Sequence, residues 1–345
     1  MRGVLYRGPR HVVVSDDLSV PAVRSGRDAV VRVTKAGICG TDLHPYRGEI
    51  QGFESGTVMG HEFVGHIVEA GPDTPFAPGD RVFASDIVAC GRCRDCARGW
   101  HYQCPHATLF GYSTVVGASI AGGQADQVLV PFADVVLCPV PKDVTDEQAL
   151  LVGDVFTTAY AAVLDAGIVP GDVVGVVGAG PLGVLTALCA RTAGAAAVLI
   201  ADTDPARREL AGNLGADAVA PADFREALRE ASDGQGAQAV IEAVGTDAAL
   251  AAAMTAAAPH ATVVAAGAHH SAAMPFPSGE AFGKELTVRF TVGDPIRLRD
   301  QVLRLVGSGR LDPAVVVTHR LTLGEAASGY RLMDRGEALK VVLTP

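Results

Sequence analysis

The sequence predicts an α/β protein of two domains, one β-rich and one built on a doubly wound parallel sheet, and three observations predict it. The chain has 345 residues, enough for two domains at roughly 150 residues each. Residues 1 to about 150 read as short β-rich segments, such as 29–33, 64–69 and 127–130, separated by Gly, Pro and Asp turns. From about 149 to 292, β-branched runs alternate with Ala- and Leu-rich helical segments, as in 173–177, 180–193, 197–201 and 205–214. That alternation is the pattern of a parallel sheet with crossover helices.

Residues 248–274 fit a helix followed by a strand, since Met254, Val263 and Val264 interrupt the alanines. The last fifty residues suggest a helix near 298–306, a turn at 307–309 and a final strand at 338–343, and by themselves could complete either domain. There is no internal repeat.

Composition limits the function. Hydrophobic residues make up 49% and the 40 glycines are spread along the chain, so an ordered globular protein is expected rather than a disordered one. A net charge of -10 without a basic stripe argues against nucleic acid and points to small-molecule substrates and sister subunits as partners. The start, MRGVLYRGPR, lacks the apolar core of a signal peptide, so the expected location is cytoplasmic. Residues 173–190 are uncharged, but Gly175, Gly178, Gly180, Pro181 and Gly183 break them into a strand, a turn and a helix start, which is poor material for a membrane span. Seven cysteines in a cytosolic chain imply metal binding or burial rather than a disulfide framework.

Within the alternating region, Gly178-Ala-Gly180-Pro181-Leu182-Gly183 places G-x-G-x-x-G between a predicted strand and a predicted helix. The first Gly permits a tight turn, the second lets a pyrophosphate approach the backbone, and the third allows close packing of helix on strand. The helix N-terminus then offers its unpaired N–H groups to the phosphate. Asp202 ends the next predicted strand 19 residues beyond Gly183, where a carboxylate can hydrogen-bond both ribose hydroxyls and repel a 2′-phosphate. NAD(H) is therefore expected over NADP(H). Asp-Thr-Asp-Pro is also a good helix start, a duty that Asp204 fits better than Asp202. Arg207 lies near enough to contact either the adenosine ribose or a phosphate.

Cys90, Cys93, Cys96 and Cys104 form C-x2-C-x2-C-x7-C. Four thiolates on one short loop can close a tetrahedral shell around zinc, leaving no position for substrate, so the site is structural. Disulfide pairing, or His101 or His106 in place of one Cys, are the alternatives. A second set is dispersed: Cys39, His61 with Glu62, and Asp154. Taken singly, each has an ordinary explanation, since a lone Cys is usually buried and inert, a lone His is usually structural, and Asp154 could cap a helix beginning at Val155.

Together these segments resemble the zinc-containing medium-chain dehydrogenase/reductase (alcohol dehydrogenase) family over essentially the whole chain. The marks are Gly37-Ile-Cys-Gly-Thr-Asp-Leu-His44, Met59-Gly-His-Glu-Phe-Val-Gly65, Pro78-Gly-Asp-Arg-Val82, the four-Cys lobe, Gly122-Gly-Gln-Ala-Asp126, Gly153-Asp-Val-Phe-Thr-Thr158 and Gly178-Ala-Gly-Pro-Leu-Gly183. The resemblance implies a GroES-like catalytic domain over 1–150 and 296–345 and a Rossmann NAD-binding domain over 151–295. It implies two zinc ions per chain, one structural and one catalytic, the latter held by Cys39, His61 and Asp154. Asp154 departs from the Cys that many relatives carry, and adds an oxygen ligand at unchanged ligand charge.

Glu62 is implied as a carboxylate beside that zinc, and Asp42 as the group that orients His61 through its other ring nitrogen. The family's proton relay maps onto Thr41 and His44. Thr158 maps beside the nicotinamide, and Lys340 onto a basic position that contacts the pyrophosphate, while Gly40 stands where some relatives have a second basic phosphate contact. Substrate-lining positions would be Pro45 and Tyr46, Phe110 to Tyr112, and the loop around Phe290 to Pro295. The implied activity is reversible oxidation of an alcohol or polyol to an aldehyde or ketone by hydride transfer, in a homodimer or homotetramer. The competing readings are a zinc-retaining reductase of an activated C=C bond, against which the intact Thr41 and His44 weigh, and a non-catalytic zinc- and nucleotide-binding protein.

Overall fold

The computed structural model describes all 345 residues. The chain forms two units, Met1–Asp154 with Asp294–Pro345, and Val155–Gly293. The first crossing lies four residues beyond the sequence-based boundary of 150, because the helix Asp146–Val152 packs on strands of the first unit and the Asp86 N–H holds the Gly153 carbonyl at 3.0 Å. The return crossing lies before Asp294, whose carboxylate caps the helix Pro295–Gly307 within the first unit.

The strand Ala29–Ile38 organises the first unit. Its alternating Val and Ala side chains are buried, and it pairs antiparallel with Phe63–Ala70, Gln127–Val130 and Lys340–Thr344. Arg81–Ala84 and Leu137–Pro139 extend the sheet on one side, and Val317–Thr322 extends it beyond Lys340–Thr344 on the other. The last fifty residues therefore complete this sheet. Its core gathers Val31, Phe63, Val82, Val128 and Leu137, with Phe63 and Phe110 edge to face at 5.1 Å.

The second unit is a six-stranded, all-parallel sheet in the order Asp217–Val219, Ala197–Ala201, Val173–Val177, Ala237–Glu242, Ala257–Ala265, Thr287–Phe290. Val173–Val177 reads as a continuous β-branched run because helices cover both faces of the sheet. Gly175 within it makes room for a helix on top, since a Cβ there would lie 2.9 Å from the Phe224 ring. Strand order reverses between Val173–Val177 and Ala237–Glu242, which opens a crevice at their carboxyl ends where ligands of such sheets bind. Residues 173–190 are the strand Val173–Val177 and the helix Pro181–Thr192, and no single helix in the chain is long and apolar enough to cross a membrane.

Candidate active site

Three elements of the first unit bring the dispersed set together. Cys39 ends the strand Ala29–Ile38 and N-caps the helix Gly40–Arg47, and its N–H donates to Asp42 Oδ2 at 2.9 Å. His61 enters from the turn before Phe63–Ala70, where Gly60 takes φ +96, a conformation only glycine adopts freely. Asp154 follows the helix Asp146–Val152. The Cys39 Sγ, a His61 ring nitrogen and an Asp154 oxygen all lie within 4.8 Å of one another, with His61 Nε2 at 3.3 Å and Cys39 Sγ at 3.4 Å from Asp154 Oδ2.

The charge balance of this cluster suits a cation. Burial alone would lower the His61 imidazole, but Asp42 and Asp154 outweigh it and hold its pKa well above the usual histidine range. Burial works to raise the Asp154 carboxyl, and hydrogen bonding to His61 reverses that, so it lies below the usual carboxylate value. Burial and then Asp154 push the Cys39 thiol up. A proton on the imidazole thus occupies a place built for positive charge. One thiolate, one imidazole and one carboxylate are a donor set for zinc that neutralises its charge formally and leaves a coordination position for substrate. Asp42 Oδ1 sits 3.4 Å from His61 Nδ1 without hydrogen-bond geometry, so it faces the ring nitrogen that Nε2 ligation would leave.

Lys340 belongs to the same buried charge cluster. Its side chain is 1% exposed, and its ammonium pairs with Glu62, itself fully buried. Gly37 is the physical reason the pair fits, since a Cβ there would lie 2.1 Å from Glu62 Oε2. Burial opposes the charged Lys340, yet Glu62 outweighs it and holds the lysine above its usual range, while burial pushes the Glu62 carboxyl up to about 7 against the pull of Lys340. Glu62 therefore stands behind the metal site with a fixed counter-charge.

Thr41 and His44 share one face of the helix Gly40–Arg47, three residues apart. The Tyr112 O–H donates to the Thr41 carbonyl at 3.3 Å, and His44 Nδ1 lies 2.6 Å from Glu49 Oε2. Of the residues expected to line a substrate pocket, Tyr112 stands beside His61, with ring centroids 6.4 Å apart. Tyr46 instead packs on Tyr330 and Phe110 on Phe63, both inside the core, because their rings bury apolar surface against these partners.

In the four-cysteine lobe all donor sulfurs lie within 4.8 Å of one another, and all four thiols are free, so no disulfide forms. Backbone N–H groups of Cys90, Cys96 and His106 each point at a sulfur at 3.4 Å, a second set of partners that favours thiolate. Burial works against the Cys90 thiolate, but the Arg92 and Cys93 N–H groups outweigh it and bring its pKa to about 6. His101 turns away to Asp294 and is no ligand here.

In the second unit, Gly178 takes φ +101 and Gly180 N-caps the helix Pro181–Thr192, with open space where its Cβ would stand. A Cβ on Gly183 would meet the Gly178 carbonyl at 1.7 Å, so this helix can approach the strand only as glycine. Pro181 and Leu182 open the first turn, where the unpaired N–H groups that follow the proline suit a pyrophosphate. Asp202 accepts from the Ala179 N–H at 2.7 Å and the Asp204 N–H at 2.8 Å, which ties the strand end to the glycine turn, while Asp204 caps the next helix. Arg207 Nη1 stands 4.0 Å from Asp202, and Arg208 binds the Asp202 carbonyl at 2.7 Å. Thr158 is nearly buried, and Gly293 leaves it room, since a Cβ there would lie 2.6 Å from its hydroxyl.

Comparison with known proteins agrees with this geometry. Residues 25–142 match the family described as alcohol dehydrogenase GroES-like domain, and residues 181–307 the one described as zinc-binding dehydrogenase. A Mycobacterium tuberculosis protein named "Probable zinc-binding alcohol dehydrogenase" is 38% identical over 349 residues, covering 100% of this chain and 89% of that one. The chain belongs to the zinc-containing medium-chain dehydrogenase family. It is an oxidoreductase with a GroES-like first unit and a Rossmann second unit. The alcohol dehydrogenase of Thermus sp. ATN1 matches with a TM-score of 0.93 at 37% identity, covering 100% of this chain and 99% of that one. A dehydrogenase structure from Sinorhizobium meliloti, solved with NADP bound, matches at 0.86 and 27% identity, covering 100% and 99%.

Sequence reading missed Gln124 and Tyr330 of this dehydrogenase. Gln124 Nε2 donates to the Gly37 carbonyl at 2.9 Å and the Tyr330 O–H donates to Gln124 Oε1 at 2.9 Å, bracing the turn that carries Cys39. Gln124 stood in a quoted motif without a role, and nothing in the local sequence around Tyr330 signals this contact.

The Lys340 placement makes a prediction. Lys340→Met would leave the Glu62 carboxyl buried without its counter-charge, at a cost of about 3–5 kcal/mol. Thermal unfolding should show a lower Tm, and NAD(H) titration of the folded fraction an unchanged Kd; weakened cofactor binding at unchanged Tm would return Lys340 to the pyrophosphate.

Proposed function

We propose that this dehydrogenase catalyses the reversible oxidation of an alcohol or polyol to the aldehyde or ketone, with NAD(H) as hydride carrier. The observation that carries the reading is the convergence of Cys39, His61 and Asp154 within 4.8 Å in a cluster whose charge balance asks for a cation. Zinc bound by these three supplies Lewis acidity to the substrate oxygen. The chain's residues then have separable tasks. Cys39, His61 and Asp154 hold the ion, and Asp42 faces the remaining nitrogen of the imidazole. Thr41 and His44, on one face of the helix Gly40–Arg47, would move the proton of the substrate hydroxyl away from the ion, with Glu49 Oε2 2.6 Å from His44 Nδ1 to hold the ring in place. Tyr112 and the buried Glu62–Lys340 pair exclude water behind the ion.

On the cofactor side, Gly178, Gly180, Pro181, Leu182 and Gly183 receive the pyrophosphate, and Thr158 borders the nicotinamide. Asp202 takes the adenosine ribose, and its carboxylate disfavours a 2′-phosphate, so NAD(H) is preferred over NADP(H). The four-cysteine lobe holds a second, structural zinc. The protein works as a homo-oligomer: the strand Thr287–Phe290 is a sheet edge, beside which Phe282 is 88% exposed and Phe276 and Phe290 are also largely exposed. A second copy presenting the same edge would pair the strands and cover these rings.

Three measurements test this reading. Assay of a panel of primary, secondary and vicinal alcohols should give NAD reduction that Thr41→Ala lowers by about 10²–10⁴-fold in kcat, with NAD(H) affinity retained; turnover intact in Thr41→Ala removes the relay. Asp202→Gly should weaken NAD and shift the NAD-to-NADP ratio of kcat/KM toward NADP by about tenfold or more, and an unchanged ratio takes Asp202 out of its role. Phe282→Asp should lower the mass measured by sedimentation, whereas a wild-type chain that already sediments as a monomer overturns the edge pairing.

A further inference from the structure

Two consecutive residues of the four-cysteine lobe bind no metal and have no part in the site above. They belong to the short 3-10 turn His101–Gln103, which lies between Cys96 and Cys104. His101 fixes the turn. Its Nδ1 stands 2.9 Å from both oxygens of Asp294, and its backbone N–H donates to Asp294 Oδ2 at 3.3 Å. Asp294 is a non-glycine residue at φ +123, a conformation that persists only when several partners determine it. Its other partner is the Arg297 N–H at 3.0 Å, at the start of the helix Pro295–Gly307. The turn is thereby tied to Asp294, the residue at which the chain re-enters the first unit.

Tyr102, on the same turn, carries the lobe toward the metal cluster. Its O–H donates to Asp86 Oδ2, while the Ile87 N–H donates to Asp86 Oδ1 at 2.8 Å, so each oxygen of a carboxyl that is 5% exposed has a donor. The Asp86 N–H in turn donates to the Gly153 carbonyl at 3.0 Å, the peptide immediately before Asp154. Gly153 has no slack, because a Cβ there would lie 2.3 Å from the Ala84 carbonyl oxygen. An unbroken series of bonds therefore runs from Cys104, through the turn, to the backbone of the one carboxylate that joins Cys39 and His61.

We propose that Tyr102 and Asp86 are positioning residues that couple the four-cysteine lobe to Asp154, so that the lobe governs how tightly the Cys39–His61–Asp154 site keeps its metal. The proposal rests on the metal reading of that site. Without the Tyr102 hydroxyl, Asp86 Oδ2 is a buried acceptor with no donor. The carboxyl then turns toward another donor and draws its own N–H away from Gly153, and Asp154 shifts with its backbone. Partners at this remove from a ligand change metal affinity by about 10–100-fold.

The test uses full-length enzyme loaded with zinc and challenged with a chromogenic chelator. Tyr102→Phe should release the zinc of the Cys39 site about tenfold faster, with the zinc of the four cysteines leaving at the wild-type rate. Asp86→Asn should act in the same direction, and the double variant should add little. With Co2+ in the Cys39 site, the visible absorption bands should move in both variants as Asp154 shifts. Wild-type release rates and unmoved bands in both variants overturn the proposal, and so does equal acceleration of both zinc ions, which would make Tyr102 a stabiliser of its own lobe. A wild-type chain whose metal content is unchanged by Cys39→Ser would instead overturn the metal reading on which the coupling stands.

Discussion

Cys39, Asp42, Glu62 and Asp154 crowd around a single imidazole, and so much anionic character can leave water only if positive charge enters with it. Lys340 meets part of that requirement by pairing with Glu62, and the His61 imidazole, whose pKa Asp42 and Asp154 hold well above the usual range, meets more of it. Much of the surrounding structure follows from this constraint. Gly37 is small so that Glu62 can approach, Gly60 turns left-handed so that His61 can enter, and Gln124 braces the Gly37 carbonyl with Tyr330 behind it. The strand carrying Lys340 comes from the far end of the chain to pair with the strand that carries Cys39.

The second unit answers a different constraint with similar economy. A phosphate must come close to backbone N–H groups, so side chains are removed where the ligand and the helix approach, at Gly180 and Gly183. Asp202 accepts the Ala179 N–H, which makes its carboxylate part of the glycine turn as well as of the proposed ribose site.

The sequence made the architecture legible where periodicity and turn chemistry are local. Val173–Val177, Ala197–Ala201 and Gln127–Val130 fall where β-branched runs place them, and the helix after Gly180 falls where the glycines place its start. The four cysteines were legible because their spacing alone brings them together. Cys39, His61 and Asp154 were legible only through resemblance, since their meeting depends on long-range strand pairing that no short window contains. The basic character of Lys340 is visible in sequence, but its burial is set by Gly37 and Glu62 from distant parts of the chain. Tyr46 and Phe110 show the same limit, because adjacency to a motif does not say which side of a strand or helix faces the core. Tyr102 and Asp86 carried no signal, and His101 suggested only a metal ligand, since each finds its partner through the tertiary fold alone.

The pairing of Lys340–Thr344 with Ala29–Ile38 has a consequence for biosynthesis. Residues 155–293 are contiguous and can fold as soon as they leave the ribosome, ahead of a first unit whose sheet still lacks an inner strand. Until that strand arrives, Cys39 follows a strand with an open edge and Glu62 has no ammonium beside it. The proposed metal site at Cys39, His61 and Asp154 therefore gains its full surroundings only once a strand distant in sequence has paired.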